Sequence, residues 1–279
     1  MEFLKGTTGL IYLFGLLAIG FSLEMLFPWR RIEKINIIRL LRNASMAVYG
    51  VIILSLLPVM SAYGASLIAQ TQNIGLMNIM PVPLWAQLLV ALLVADLLAY
   101  GQHRALHKWY FLWRLHRVHH SDHHVDASTS LRFHPFEALA RALSEFPIVL
   151  IIGLPPEGIL FSFAVQAFSN TLTHTNIGLP PAIARVMSII FITPQLHKLH
   201  HSTAPGHQYS NFSTVFAIWD RMFKTFTPSH HLTKEAVFGL EGPEKIDHES
   251  FGTLISDPFR RPENAAIPRP NNAHTTPPE

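Results

Sequence analysis

From Asn43 to Ala95 the chain reads NASMAVYGVIILSLLPVMSAYGASLIAQTQNIGLMNIMPVPLWAQLLVALLVA, without one Asp, Glu, Lys or Arg. A bilayer span needs about twenty apolar helical residues, so this run is long enough for two spans joined by a turn. Gln, Asn, Gly and Pro collect between Gln70 and Pro83, which places the turn there. Outward from this run, Leu10 to Phe27 has Glu24 as its only charge, and its helical length of roughly 27 Å matches a hydrocarbon core. Residues 1–95 therefore read as three spans, with residues 28–43 connecting the first two. A cleavable leader is the alternative for the first, but Lys5 alone is a weak flank and no small-x-small site precedes Pro28-Trp29-Arg30-Arg31.

Composition agrees. The 279 residues are 49% hydrophobic and 14% charged, with net charge +3, where soluble domains carry about 25% charged residues. Cysteine is absent, which excludes disulfides, thiolate metal sites and a cysteine nucleophile. The basic residues lie beside apolar runs and not in a patch interleaved with aromatics, so nucleic acid is a poor partner.

A fourth apolar region, Phe146 to Thr173, is interrupted by Pro155-Pro156-Glu157-Gly158. The residues before the break are too few to cross a bilayer, and the region is expected to form a re-entrant or short helical hairpin. Arg30, Arg31, Lys34, Arg39 and Arg42 join spans one and two, whereas the second connection has no cation. The first connection is therefore expected to be cytoplasmic, and every histidine falls on that side. Residues 229–279 read as a polar C-terminal segment, disordered from Asp257, where proline accumulates. The expected fold class is an all-α integral membrane protein with about three full transmembrane helices, the hairpin, and a cytosolic His-rich helical cap over residues 96–228.

Histidine is the unusual count: 17 in all. Three clusters stand out, His103-x3-His107, His116-x2-His119-His120 and His197-x2-His200-His201. Side chains three and four apart share a helix face, so each cluster projects imidazoles in a metal-ligand arrangement. Asp96, His103 and His107 fall within about 40° of one another on one helix. The clusters offer more nitrogens than the roughly four that one zinc takes, so two metals are implied. Imidazole suits iron, zinc and copper alike. A hydrolytic zinc centre gains nothing from a bilayer, whereas oxidation of an unactivated lipid C–H bond needs a redox metal with O2 and a dry site.

The strings HRALH, LHRVHHSD, STSLRFHPFE, HTNIGLP, TPQLHKLHHS, YSNF and WDRMFKTF, spread from Asp96 to Phe226, resemble the fatty acid hydroxylase/sterol desaturase superfamily of membrane non-haem di-iron enzymes. The resemblance implies two iron ions, O2 as co-substrate, a lipid substrate, and electrons from a cytochrome b5-like or ferredoxin/reductase partner. It also implies that His103, His107, His116, His119, His120, His197, His200 and His201 are ligands, with His174 as a ninth. Some members carry a further histidine four residues before His174, where this chain has Asn170. His134 and His207 are additional candidates. Ligating imidazoles usually donate their second N–H to a carboxylate or carbonyl, and Asp96, Glu137 and Asp220 are the carboxylates on offer. Asp96 is preferred, because an acid near the end of an uncharged helix is costly unless paired. Two departures from the family pattern, Ser213 and Lys224 at positions where glycine is usual, bear on loop geometry.

The function expected is O2-dependent hydroxylation or desaturation of a fatty acyl, sterol or related lipid chain. The alternative is a metal-binding, metal-transporting or lipid-binding membrane protein without turnover. Transport needs ligands along the path through the bilayer, and here they lie beyond the span ends. The cationic residues Arg114, Arg117 and Lys198 are a candidate docking face for the electron donor.

Overall fold

The computed structural model describes residues 7–31, 36–240 and 250–260. Among these residues twelve α-helices follow in order: α1 (Thr7–Leu26), α2 (Ile37–Ser55), α3 (Ala62–Thr71), α4 (Leu76–Ile79), α5 (Leu84–Lys108) and α6 (Tyr110–His120). The others are α7 (Pro135–Ile152), α8 (Pro156–His174), α9 (Pro181–Met187), α10 (Pro194–His201), α11 (Ile218–Met222) and α12 (Phe251–Ser256). Among the described residues β-structure is limited to isolated bridges.

The burial pattern is inverted relative to a soluble bundle. In α2 the buried residues include Arg39, Arg42 and Asn43, whereas Ile38, Leu41, Val51 and Ile52 are exposed. A helix that hides its polar groups and shows its aliphatic ones is built for an apolar solvent. Among the described residues two helices, α2 and α5, are long and apolar enough to cross a membrane. The apolar stretch Ile11–Leu26 of α1 is shorter.

Several expectations are corrected. The connection after span one is shorter than residues 28–43, because Asn36 caps α2 by accepting from the Arg39 N–H and the helix starts at Ile37. The turn between the second and third spans is longer than Gln70–Pro83. The chain leaves α2 at Ser55 and spends the intervening residues on α3 and α4. The Phe146–Thr173 hairpin does form, but its arms are not short. α7 begins at Pro135, capped by the His134 side chain, and runs 18 residues, while α8 runs 19. The apolar count missed the first arm's polar start at Glu137, Arg141 and Glu145. Gly153 turns the hairpin at φ 75°. A Cβ on Gly75 would lie 2.3 Å from the Gly153 nitrogen, so the turn before α4 packs backbone to backbone on the hairpin tip.

α5 lies along α8, α3 and α2 pack on α7, and α1 packs on α8. The end of the bundle near Gly153 is filled by Ala62, Ala65, Met77, Ala91, Val149, Leu154 and Ile159. At the opposite end the described segments beyond Thr227, residues 228–240 and 250–260, pack on the body. Phe238 packs on Trp29, Leu240 on Trp113, and Leu254 on Met46 and Val118. Asp257, where disorder was expected to begin, opens a 3-10 turn to Phe259 and holds the Arg117 guanidinium at 2.7 Å. The rest of that expectation, from residue 261, lies outside the described residues.

Candidate metal centre

Four elements converge at this end. α5 carries His103 and His107 on its last turns. Trp109, in an extended conformation, breaks the helix so that α6 can fold back with His116, His119 and His120. α8 ends on His174. α10 starts at a Thr193 cap with Pro194 in its first turn and carries His197, His200 and His201. All nine imidazoles are buried.

They form two groups. His103, His107, His116, His120 and His200 make one, and His119, His174, His197 and His201 the other, the potential ligand atoms of each lying within 4.8 Å of one another. Helical spacing explains the division. His116 and His120 share a face of α6 and enter the first group, while His119 points to the second. His197 and His201 share a face of α10 and enter the second, while His200 crosses to the first.

Five of the nine rings have an acceptor at their outer nitrogen. His103 Nδ1 faces the Phe212 carbonyl at 2.7 Å, His200 Nδ1 the Ser210 carbonyl at 2.8 Å, and His116 Nδ1 the Glu137 carboxylate at 3.1 Å. In the second group His119 Nδ1 faces the Arg132 carbonyl at 3.2 Å and His174 Nδ1 the Asn170 carbonyl at 2.7 Å. An acceptor at Nδ1 keeps the proton there and leaves the Nε2 lone pair bare. Yet His119 Nε2 and His174 Nε2 are 3.0 Å apart, and His174 Nε2 and His197 Nε2 2.9 Å. The bare lone pairs of His119 and His174 repel at that distance unless a cation lies among them. In addition, the Nε2 atoms of His103, His107, His116 and His200 and both nitrogens of His120 are buried without a partner. Each such group costs about 1–3 kcal/mol in a structure that leaves it unsatisfied. Burial, then the neighbouring imidazoles, pushes His116, His119, His120, His197 and His201 well below the ordinary imidazole range, and His200 to about 3. The rings are neutral and their lone pairs available. The donor set therefore fits two cations, one for each group. Phe212 lies against His103, His107 and His200, Trp113 against His107 and His120, and Phe133 stacks on His119 at 4.3 Å. These rings keep water from the imidazoles.

The carboxylates differ from expectation. Glu137 touches an imidazole directly, but Asp96 does not. Its oxygens accept from the Val215 and Phe216 N–H groups and from Trp219 Nε1. Asp220 accepts from the Phe212 and Ser213 N–H groups and the Thr225 hydroxyl. Both hold the 212–219 loop, and through it the carbonyl that faces His103. Asp96 is thus paired, as its position in a span demands, but with backbone N–H groups and the Trp219 indole. His134 stands apart from both groups, with Nδ1 accepting from Phe136 and Nε2 facing the Ile255 carbonyl. His207 pairs with Ser202, and the Asn170 amide donates to Ser130. Lys224 stands at φ 59°, a left-handed conformation that explains why glycine is usual there.

The proposed docking cations are corrected too. Arg117 is buried against Asp257, and Lys198 is wholly buried, donating to the Val125, His174 and Thr175 carbonyls. Of the three, Arg114 alone is part-exposed, and it donates to the Arg260 carbonyl. Sequence reasoning missed the Phe212, Ser210, Arg132 and Asn170 carbonyls, because a backbone acceptor leaves no trace in residue type. It also missed Arg132, wholly buried, which donates to Asn43 and to Ser121 at the end of α6.

The sequence model of the fatty acid hydroxylase family matches residues 88–225, the segment that holds all nine histidines. The chain belongs to this family. It is 34% identical over 180 residues to ornithine lipid hydroxylase OlsE of Rhizobium tropici, covering 64% of this chain and 52% of that protein. It is 30% identical over 156 residues to alkylglycerol monooxygenase of Caenorhabditis elegans (56% and 30%). It is 31% identical over 157 residues to very-long-chain aldehyde decarbonylase GL1-9 of Oryza sativa subsp. japonica (56% and 59%). The chain thus spans about half the hydroxylase and less of the monooxygenase. No solved structure matches it. These relatives are oxidoreductases by name, and the histidine groups are suited to metal.

Proposed function

We propose that this protein is an O2-dependent lipid oxidoreductase that hydroxylates or desaturates a fatty acyl, sterol or related lipid chain. The observation that carries the reading is the pair of buried imidazole groups whose inward nitrogens have no partner. His103, His107, His116, His120 and His200 would hold one iron, and His119, His174, His197 and His201 the other. The ions supply O2 activation and hydrogen abstraction from an unactivated C–H bond, which no side chain performs alone. The chain's own part is placement. Glu137 keeps the His116 proton on Nδ1, the Ser210 and Phe212 carbonyls do the same for His200 and His103, and the aromatic rings keep the pocket dry. Electrons come from a cytochrome b5-like or ferredoxin/reductase partner. The protein is multi-pass, adding α1 and the α7–α8 hairpin to α2 and α5, with the histidines at the cytoplasmic face. The names of the relatives support a lipid as substrate.

The test is elemental analysis of protein purified from iron-supplemented cells, followed by lipid turnover with reductant and O2. Two irons per chain and a hydroxylated or desaturated lipid are expected, and His200→Ala should lose both metal and product. A metal-free protein that binds lipid without converting it would replace this reading with that of a binding protein.

A further inference from the structure

Past His174 the chain builds a face that the metal chemistry does not use. α9 buries Ala184 and turns Ile183 and Val186 outward, and Ile189 and Ile190 continue the exposed row, Val186 being 66% and Ile189 62% exposed. This segment is tied to α11. Ile192 N–H donates to the Val215 carbonyl at 3.0 Å, Ala217 N–H to the Ile190 carbonyl at 2.8 Å, and the Arg221 guanidinium to the Ser188 carbonyl at 2.9 Å. α11 adds exposed Ile218 and Met222.

The depth of this face follows from what α11 touches. Trp219 donates to Asp96, and Phe223 stacks on Tyr100 with centroids 5.2 Å apart. Asp96 and Tyr100 lie on α5, about 18 and 24 Å along the axis from Leu84 at 1.5 Å per residue. Trp85, exposed at the start of α5, marks the far boundary as interfacial aromatics do. A hydrocarbon core of about 30 Å then reaches beyond Tyr100. The non-helical loop beside Asp96 is tolerable at that depth because Asp96 takes up its N–H groups. Arg185 on α9 and Lys224 just after α11 are exposed cations, the charge that lipid phosphates attract.

We propose that the α9–α11 face is immersed in the leaflet on the metal side. It fastens to lipid both ends of the 192–217 stretch, which carries His197, His200, His201 and the Ser210 and Phe212 carbonyls. The proposal rests on the reading that α5 spans a bilayer.

Because the chain has no cysteine, single exposed sites can be labelled cleanly with an environment-sensitive fluorophore. Ile189→Cys and Met222→Cys report the face, Val51→Cys the exposed side of α2, and Ala204→Cys, in the exposed loop after α10, is the aqueous baseline. Full-length protein is placed in phosphatidylcholine/phosphatidylglycerol vesicles containing lipids brominated on the acyl chains. Labels at Ile189, Met222 and Val51 are expected to be blue-shifted relative to Ala204 and to lose emission to bromine. Loss at Val51 without loss at Ile189 and Met222 would overturn the face and leave the spans standing. No loss at Val51 either would overturn both. A blue shift at Ile189 and Met222 without bromine quenching would mean that another protein surface covers them, and would also overturn the proposal.

Discussion

The two histidine groups are made of the same side chain but held differently. In the group of five, His103, His116 and His200 each present Nδ1 to an acceptor, and one of those, the Phe212 carbonyl, sits in a loop that Asp96 and Asp220 hold by its N–H groups. In the group of four, His119 and His174 have carbonyl partners, while His197 and His201 have buried Nδ1 atoms without one. The first group has outside acceptors at three of its five rings, one of them the Glu137 carboxylate. The second has only backbone carbonyls, at two of its four. Preorganisation is therefore expected to show as a difference in affinity between the two sites.

The largest effect expected is complete loss of one ion at a time. His116→Ala should empty the first site and His174→Ala the second, each removing roughly half the metal by elemental analysis if every ion has about four or five ligands. Loss of both ions from either variant would show the two sites to be a single unit. Next, Glu137→Gln should weaken the first site by about 10–100-fold in chelator competition and leave the second unchanged. Asp220→Asn acts one bond further away, through the Phe212 carbonyl, so its effect should fall near the lower end of that 10–100-fold range and be confined to the same site. Equal weakening of both sites by Asp220→Asn would contradict the loop's role.

In native protein a chelator should strip the second site first, giving a two-phase release with a half-loaded plateau; a single phase would remove the distinction drawn here. The smallest effect concerns the metal-free protein. Burial holds the α6 and α10 imidazoles below their usual pKa, so below about pH 6.5 the unfolded chain binds protons that the folded chain refuses. Stability should then fall as pH drops from 6.5 and stay level above it. Calorimetry of stripped protein in detergent from pH 8 to 5 checks this, and a Tm that rises on acidification would contradict it.

Much of the fold was legible because a bilayer imposes a simple rule on composition. The uncharged run from Asn43 onward contains the last two thirds of α2 and about the first half of α5. α7 was not legible, since Glu137, Arg141 and Glu145 on its first turns disguise an 18-residue helix as a short apolar piece. The docking of Phe251–Ser256 was likewise hidden. Six residues next to a proline-rich end carry no periodic signal, yet Leu254 is wholly buried between Met46 and Val118.

The sequence by itself determined that three clusters, eight imidazoles in all, each present a shared helix face, because helical periodicity is local and three or four residues fix a face; the ninth, His174, was legible only through the family resemblance. Only the tertiary structure decided which histidine joins which group, that Glu137 and not Asp96 touches an imidazole, and that Lys198 and Arg132 are interior cations. Those choices depend on where α8, α10 and the 210–219 loop meet α5 and α6. Contacts between residues a hundred positions apart are set by packing and by the demand that every buried N–H find an acceptor, and neither is written in spacing.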